Sequence, residues 1–383
     1  MGTEEFWEQE LDRINKDIQD LSEIYDTKDT FLSLYLNLEK GIPWKFIEAR
    51  EKQCKTALKG NKDLVDAFDT NMEQLTKYLR TPSSDFNQDF AKGMKGIAIF
   101  ISGSKDYFKS YKVPLKFENK MVVDTSPYIR DLVQIVDDWE AYGFILIDSN
   151  SVHMYLVSMG TVIDEKKLSA HIMNKHKKGG WSQMQFQRLR TGAIDHFYKK
   201  AVEDLNAFIT HDRPHRIILA GPGESKHHFY DMLPQEITER IIEVVDLDID
   251  MPEDKLIKES IELAQKAERK EETQLVERLR NEILKGGKVV YGVKETVEAT
   301  RNGQVELLLV NSDYKIRGWI CENCQAVEVG SKSSCPYCGK ETSEVDVIEE
   351  IIEFAARTDA RIEFVEDNEI LEELGGIGGF LRY

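Results

Sequence analysis

The stretch Gly179-Gly180-Trp181-Ser182-Gln183-Met184-Gln185-Phe186-Gln187-Arg188-Leu189-Arg190 joins a glycine pair to a glutamine and then to an arginine-bearing segment with helical spacing. Around it, Lys166, Lys167, Lys175, Lys177, Lys178, Arg188 and Arg190 are seven Lys/Arg in a span from Lys166 to Ile194 without Asp or Glu, in a chain of formal net charge -18. A local reversal of sign on that scale calls for an anionic partner. Gly179 and Gly180 have no Cβ, so the backbone there reaches positive φ and lies close to a ligand without steric cost. Gln183 offers one acceptor and two donors but is no strong base, which suits positioning a water rather than abstracting its proton. An ordinary Gly-Gly turn with a basic flank reads the same way, and these residues alone leave both readings open.

Outward from this loop the pattern is α/β. Phe186, Leu189, Ala193, Phe197, Ala201, Leu205 and Phe208 recur every three or four residues, which predicts one buried stripe of a helix with Arg188 and Arg190 off it. Phe144 to Ile147 and Val152 to Val157 read as paired strands around a turn at residues 148–151. Ile217 to Gly223 reads as a strand entering a tight glycine turn. No Gly-Lys-Ser/Thr follows, so a nucleotide site is not expected, and His227 and His228 read as a solvated helix start. Alternating strands and helices predict an α/β domain here.

The N-terminal third begins with Trp7, Leu11, Ile14, Ile18, Leu21 and Tyr25 at spacings of four and three, expected as a helix packed on its own domain rather than a partner coiled coil. Leu32, Leu34, Leu36 and Leu38 alternate as one face of a half-buried strand, and Ile97 to Ile101 restarts a buried one. Residues 45–62 read as one basic helix, and Thr81 to Ser84 as a loop. Met251 to Leu284 reads as a long charged helix opening a last domain that closes with the strand Arg361 to Val365. The acidic helix Glu349 to Phe354 and the segment Asp367 to Glu373 supply much of the negative charge, which disfavours bare RNA contact there. At 383 residues the chain is too long for one typical core, and boundaries near 123 and 250 divide it into 1–123, 124–250 and 251–383.

Cys321-x-x-Cys324 and Cys335-x-x-Cys338 form two knuckles ten residues apart. Four thiolates about 2.3 Å from Zn²⁺ fill a tetrahedron and leave no opening for water, so such a site is structural. A pair of disulfides is the rival reading, disfavoured in a reducing compartment. Cys54 stands alone as a buried or idle thiol. No apolar run approaches the roughly 20 residues that span a bilayer, and the start Met-Gly-Thr-Glu-Glu-Phe-Trp is unlike a signal peptide, so a cytoplasmic protein with no membrane partner is expected.

Residues 179–190 resemble, without a gap, the Gly-Gly-Gln loop and following Phe-x-Arg-Leu-Arg helix of eukaryotic and archaeal class-one peptide release factors. Trp181 stands where that family carries glutamine, and the glutamine comes two positions later, as Gln183. This shifted form resembles the Vms/ANKZF-type branch of peptidyl-tRNA hydrolases. Tyr291-Gly292-Val293, Val305 to Val310 and the ending Gly375-Gly376-Ile377-Gly378-Gly379-Phe380-Leu381-Arg382-Tyr383 resemble the third domain of release factors and their pelota relatives, while Asp124 to Tyr128 and Gly143 to Asp148 match the central-domain entry more loosely. The family's Thr-Ala-Ser-Asn-Ile-Lys-Ser decoding loop and Tyr-x-Cys-x-x-x-Phe element are both missing before Asp124.

The resemblance implies an α/β multidomain protein of three domains, with a central RNase H-like domain and a C-terminal ribosomal-protein-L30-like domain carrying an inserted zinc ribbon at about 317–342. It implies codon-independent hydrolysis of peptidyl-tRNA in ribosome-associated quality control. Gln183 would order the water, Gly179, Gly180 and Ser182 would complete the catalytic loop, and Lys175, Lys177, Lys178, Trp181, Arg188 and Arg190 would hold RNA. Implied partners are the ribosome, mainly its large subunit, and peptidyl-tRNA, with a translational GTPase or ATPase as assistant and the protein itself a monomer. A stop-codon release factor and a non-catalytic rescue factor are the alternatives.

Overall fold

The computed structural model describes residues 3–25, 31–80, 93–138, 142–158, 161–172, 181–209, 214, 216–249, 251–321 and 323–383. Thr81 to Ser84, expected as a loop, lies outside them. The chain forms two compact units, Met1–Asp138 with Glu272–Tyr383, and Trp139–Glu271.

The first unit begins with the helix Thr3–Glu23, in which Trp7, Leu11, Ile14 and Leu21 are buried, so the heptad-like seam is spent inside its own unit. Strands β1 (Phe31–Asn37), β2 (Gly96–Ser102), β3 (Tyr107–Val113) and β4 (Lys120–Asp124) form an antiparallel sheet in the order β3-β2-β1-β4. The leucine alternation of β1 does not mark a half-exposed strand. Leu32, Leu34 and Leu36 on one face and Phe31, Ser33 and Tyr35 on the other are all buried, because β1 is an interior strand covered on both sides. The basic segment after it is two helices, Trp44–Ala57 and Lys62–Arg80, broken around Gly60 at φ +130°. The helix Arg130–Asp138 ends this part of the unit.

The second unit is a five-stranded sheet of β5 (Tyr142–Ile147), β6 (Ser151–Ser158), β7 (Thr161–Ser169), β8 (Arg216–Ala220) and β9 (Ile241–Val245), ordered β7-β6-β5-β8-β9. β5, β6 and β7 are antiparallel, while β8 runs parallel to β5 and β9 parallel to β8. Alternation along the strands feeds two cores. Ile145, Ile147, Val152 and Met154 pack with Phe197, Tyr198, Ala201 and Leu205 of the helix Trp181–Phe208. Phe144, Leu146, Tyr155 and Ile218 pack instead around Leu256, in the long helix Glu253–Lys285. Each such fully buried apolar side chain is worth roughly 1.5–3 kcal/mol, which fixes the strand register.

The C-terminal part of the first unit adds β10 (Val289–Tyr291), β11 (Val305–Asn311), β12 (Arg317–Cys321), β13 (Ala326–Val329), β14 (Ser343–Asp346), β15 (Arg361–Val365) and β16 (Ile377–Leu381). They make a four-stranded sheet β10-β16-β11-β15 and a small antiparallel sheet β13-β12-β14 inserted between β11 and β15. β15 is the sheet edge rather than the closing strand. The chain closes with β16, between β10 and β11, where a Cβ on Gly378 would sit 2.7 Å from Leu279 Cδ2 and one on Gly379 2.9 Å from the Leu307 carbonyl. The glycine-rich ending is thus a packed interior strand. In the acidic helix Val347–Arg357, Glu349, Glu350 and Glu353 are buried along with Ile348, Ile351 and Ile352. No helix among the described residues is long and apolar enough to cross a membrane.

Candidate functional site

Gly179, Gly180, Lys175, Lys177 and Lys178 lie outside the described residues. The described chain resumes at Trp181, which opens a helix of 28 residues, so Trp181, Ser182 and Gln183 form its first turn; their side chains are outside the description. Backbone N–H groups in a first turn have no partner within the helix, and the helix dipole makes that end favourable to negative charge. Gln183 therefore starts on a rigid element at an end suited to anions.

Burial along this helix corrects the expected stripe. Leu189 is 57% and Met184 55% exposed, and Ala193 is exposed too, whereas Ile194, Phe197, Tyr198, Ala201 and Leu205 are buried. Among the described side chains, burial on the sheet begins at Ile194, and Gln185, Gln187 and Arg188 are exposed. Apolar residues at helical spacing misled here because Leu189 and Ala193 of the expected stripe are displayed rather than buried.

A hydrogen bond ties this stretch of helix to the sheet. Arg190 Nη2 donates to Ser149 Oγ at 3.2 Å, in the turn between β5 and β6. Asp148 shapes that turn: its Oδ1 accepts the N–H of Asn150 at 2.7 Å and of Ser151 at 2.6 Å. Tyr198 OH donates to the Asp148 carbonyl at 3.1 Å, and desolvation holds its hydroxyl above the usual tyrosine range. β8 ends beside the same turn, where a Cβ on Gly221 would lie 2.0 Å from the Ile147 carbonyl oxygen. The tight strand-to-helix turn expected there is present, and its helix Ser225–Tyr230 carries a buried Lys226 paired with Asp246. His228 is not simply solvated: its Nε2 lies 3.0 Å from Asp195 and its ring meets Tyr198 edge-on at 5.3 Å.

The positive run is also less free than its sequence suggests. Lys166 and Lys167 fall on β7, a strand the sequence reading missed, where Lys166 pairs with Asp204 at 2.8 Å and Lys167 with Glu165 at 2.8 Å. Arg188 is exposed.

The second constellation is the cysteine cluster. β12 ends at Cys321 and a turn brings Cys324 back; the bridge between Ser334 and Glu341 closes the turn that presents Cys335 and Cys338. The four Sγ atoms lie within 4.8 Å of one another, with Cys321 and Cys338 3.4 Å apart and Cys324 and Cys335 3.6 Å apart. Disulfide sulfurs lie about 2.05 Å apart, so none of these is bonded. Ligands about 2.3 Å from a tetrahedral ion lie about 3.8 Å from each other, so the set fits a thiolate metal site. The Lys340 N–H holds Cys338 down to about 7, while desolvation pushes Cys324 up to about 12.

Residues 127–271 match the family "Bacterial archaeo-eukaryotic release factor family 10", and residues 269–383 match "eRF1 domain 3". A peptide chain release factor subunit 1 of Methanocaldococcus jannaschii is 29% identical over 68% of this chain and 70% of its own. One of Thermococcus kodakarensis is 26% identical over 98% of both chains. The crystal structure of an archaeal translation termination factor covers 98% of both chains at 20% identity and a TM-score of 0.28, a likeness too loose to bear on function.

Proposed function

We propose, from the place in the release factor superfamily that two family matches and full-length relatives support, that this protein is a codon-independent peptidyl-tRNA hydrolase. It frees nascent chains from stalled ribosomal complexes. The observation that carries the reading is Gln183 in the first turn of a helix that follows a glycine pair and whose described side chains at 184, 185 and 187–189 are exposed.

An aminoacyl ester is already activated, so the protein's task is to admit and align a water and to supply donors to the developing oxyanion. Orientation and preorganised donors are together worth several orders of magnitude. In this reading Gln183 holds the water, Gly179 and Gly180 let the backbone enter, Ser182 supports the loop, and the adjacent ribose hydroxyl of the tRNA shuttles the proton. Lys175, Lys177, Lys178, Arg188 and Arg190 meet RNA phosphates, Trp181 stacks on the tRNA end, and Arg190 also ties the helix to Ser149. Cys321, Cys324, Cys335 and Cys338 bind one structural Zn²⁺, which folds the ribbon at about 317–342. The central sheet is RNase H-like and the C-terminal one L30-like, within three domains at 1–123, 124–250 and 251–383. The protein acts in the cytoplasm as a monomer on the large subunit, assisted by a translational GTPase or ATPase.

A stop-codon release factor is the second reading, favoured by the names of the relatives and opposed by the missing decoding motifs. Release measured from complexes with a sense codon or a stop codon in the vacant site separates the two. Equal rates support the hydrolase, and release confined to stop codons overturns it.

A further inference from the structure

Within the first unit, a cavity of about 470 Å³ is walled by residues 122–128, residues 315–317 and the glutamates of the helix Val347–Arg357. That volume is in the range of small-molecule sites. Asp124, Glu344, Asp346, Glu349, Glu350 and Glu353 line it, against Lys315 and Arg317. Several of these charges are answered: Glu344 by Arg317 at 2.8 Å, Asp346 by Arg130 at 3.5 Å, Glu353 by Arg357 at 3.1 Å.

Glu349 differs. The residue is only 7% exposed, and its Oε1 accepts the N–H groups of Ile129 and Arg130, each at 3.1 Å. Its Oε2 is buried with no hydrogen-bond partner. A buried carboxylate oxygen without a donor is costly, and one in a cavity wall is a place for a ligand's donor. Among the described residues, only the four cysteines bring metal-binding atoms close enough for one ion. The cavity's carboxylates come from three separate segments, at 124, at 344 and 346, and at 349, 350 and 353, which suits an extended cation rather than a compact one.

We propose that this cavity binds a small linear polyamine, with one ammonium donating to Glu349 Oε2 and its chain lying along the other wall carboxylates. Each ammonium carries three donors, so it can satisfy Oε2 and still bridge a neighbouring oxygen. Burial pushes the Glu349 carboxyl up to about 8, and a cation beside it favours the ionised form.

Calorimetric titration of the full chain with spermidine, and with MgCl₂ at matched ionic strength, tests this. Glu349→Gln keeps an amide oxygen for the Ile129 and Arg130 N–H groups, and Glu277→Gln changes an exposed carboxylate elsewhere. The expected result is one spermidine site, weakened at least about 10-fold by Glu349→Gln and unchanged by Glu277→Gln, with no comparable binding of Mg²⁺. Glu350→Gln, expected to weaken binding in the same direction, takes over if Glu349→Gln does not fold. Absence of a saturable site, equal weakening by the control, or equal competition by Mg²⁺ would overturn the proposal.

Discussion

Arg190 donates to Ser149 Oγ at 3.2 Å, which ties the stretch of helix after Gln183 to the turn between β5 and β6. Among the described side chains, no apolar residue of that helix before Ile194 is buried, so polar ties bear on its direction. Ser149→Ala should leave stability within about 1 kcal/mol of wild type, since the bond is only part-buried. It should slow peptide release about 3- to 10-fold by loosening the geometry at Gln183. Single-turnover release and urea unfolding of the same variant check both halves; an unchanged release rate would remove the positioning role.

Gly221 is expected to tolerate no side chain. A Cβ there would meet the Ile147 carbonyl at 2.0 Å, and backbone cannot yield as a flexible side chain would. Gly221→Ala should therefore lose about 3 kcal/mol or more in urea unfolding, at the high end of overpacking costs. A loss below about 1 kcal/mol would mean that β8 and β5 can part at their ends.

The thiolate cluster makes a stoichiometric claim. Purified protein should carry one zinc per chain by elemental analysis, and Cys335→Ser should lose it along with the order of β12, β13 and β14. Cys54→Ser should lose none, because Cys54 is far along the sequence and outside the cluster. Metal-free protein with an ordered ribbon would contradict the assignment.

Glu349 predicts a pH dependence with a definite sign. Burial raises its carboxyl from about 4.5 to about 8, so the folded chain holds a proton that the unfolded chain releases between those values. Its stabilising contribution is complete below about 4.5 and is lost as the pH rises through 8, at up to about 1.4 kcal/mol per pH unit. Wild type should thus lose stability relative to Glu349→Gln across that window; parallel stability curves would show that the carboxyl is not so raised.

The sequence made most of the layout legible. Paired strands β5 and β6, the glycine turn after β8, the long helix Glu253–Lys285 and the cysteine ribbon all followed from periodicity and spacing. What stayed hidden depended on tertiary partners. Phe31, Ser33 and Tyr35 look like the exposed face of β1 until the strand proves interior. Leu189 reads as core and is displayed, while nothing in the acidic run shows that Glu349, Glu350 and Glu353 are buried. The Arg190 to Ser149 and His228 to Asp195 contacts join positions with no sequence signal that pairs them. β7 was missed because Asp164, Glu165, Lys166 and Lys167 break its apolar alternation, although Lys166 and Lys167 find partners there.

The most direct test is peptide release from large subunits carrying labelled nascent peptidyl-tRNA, with no stop codon present, by wild type and by Gln183→Ala. Release by wild type, with Gln183→Ala still binding but slower by at least about 100-fold, is the result predicted for a glutamine that aligns the attacking water. Equal release by both, or binding without release by either, would contradict hydrolysis through Gln183.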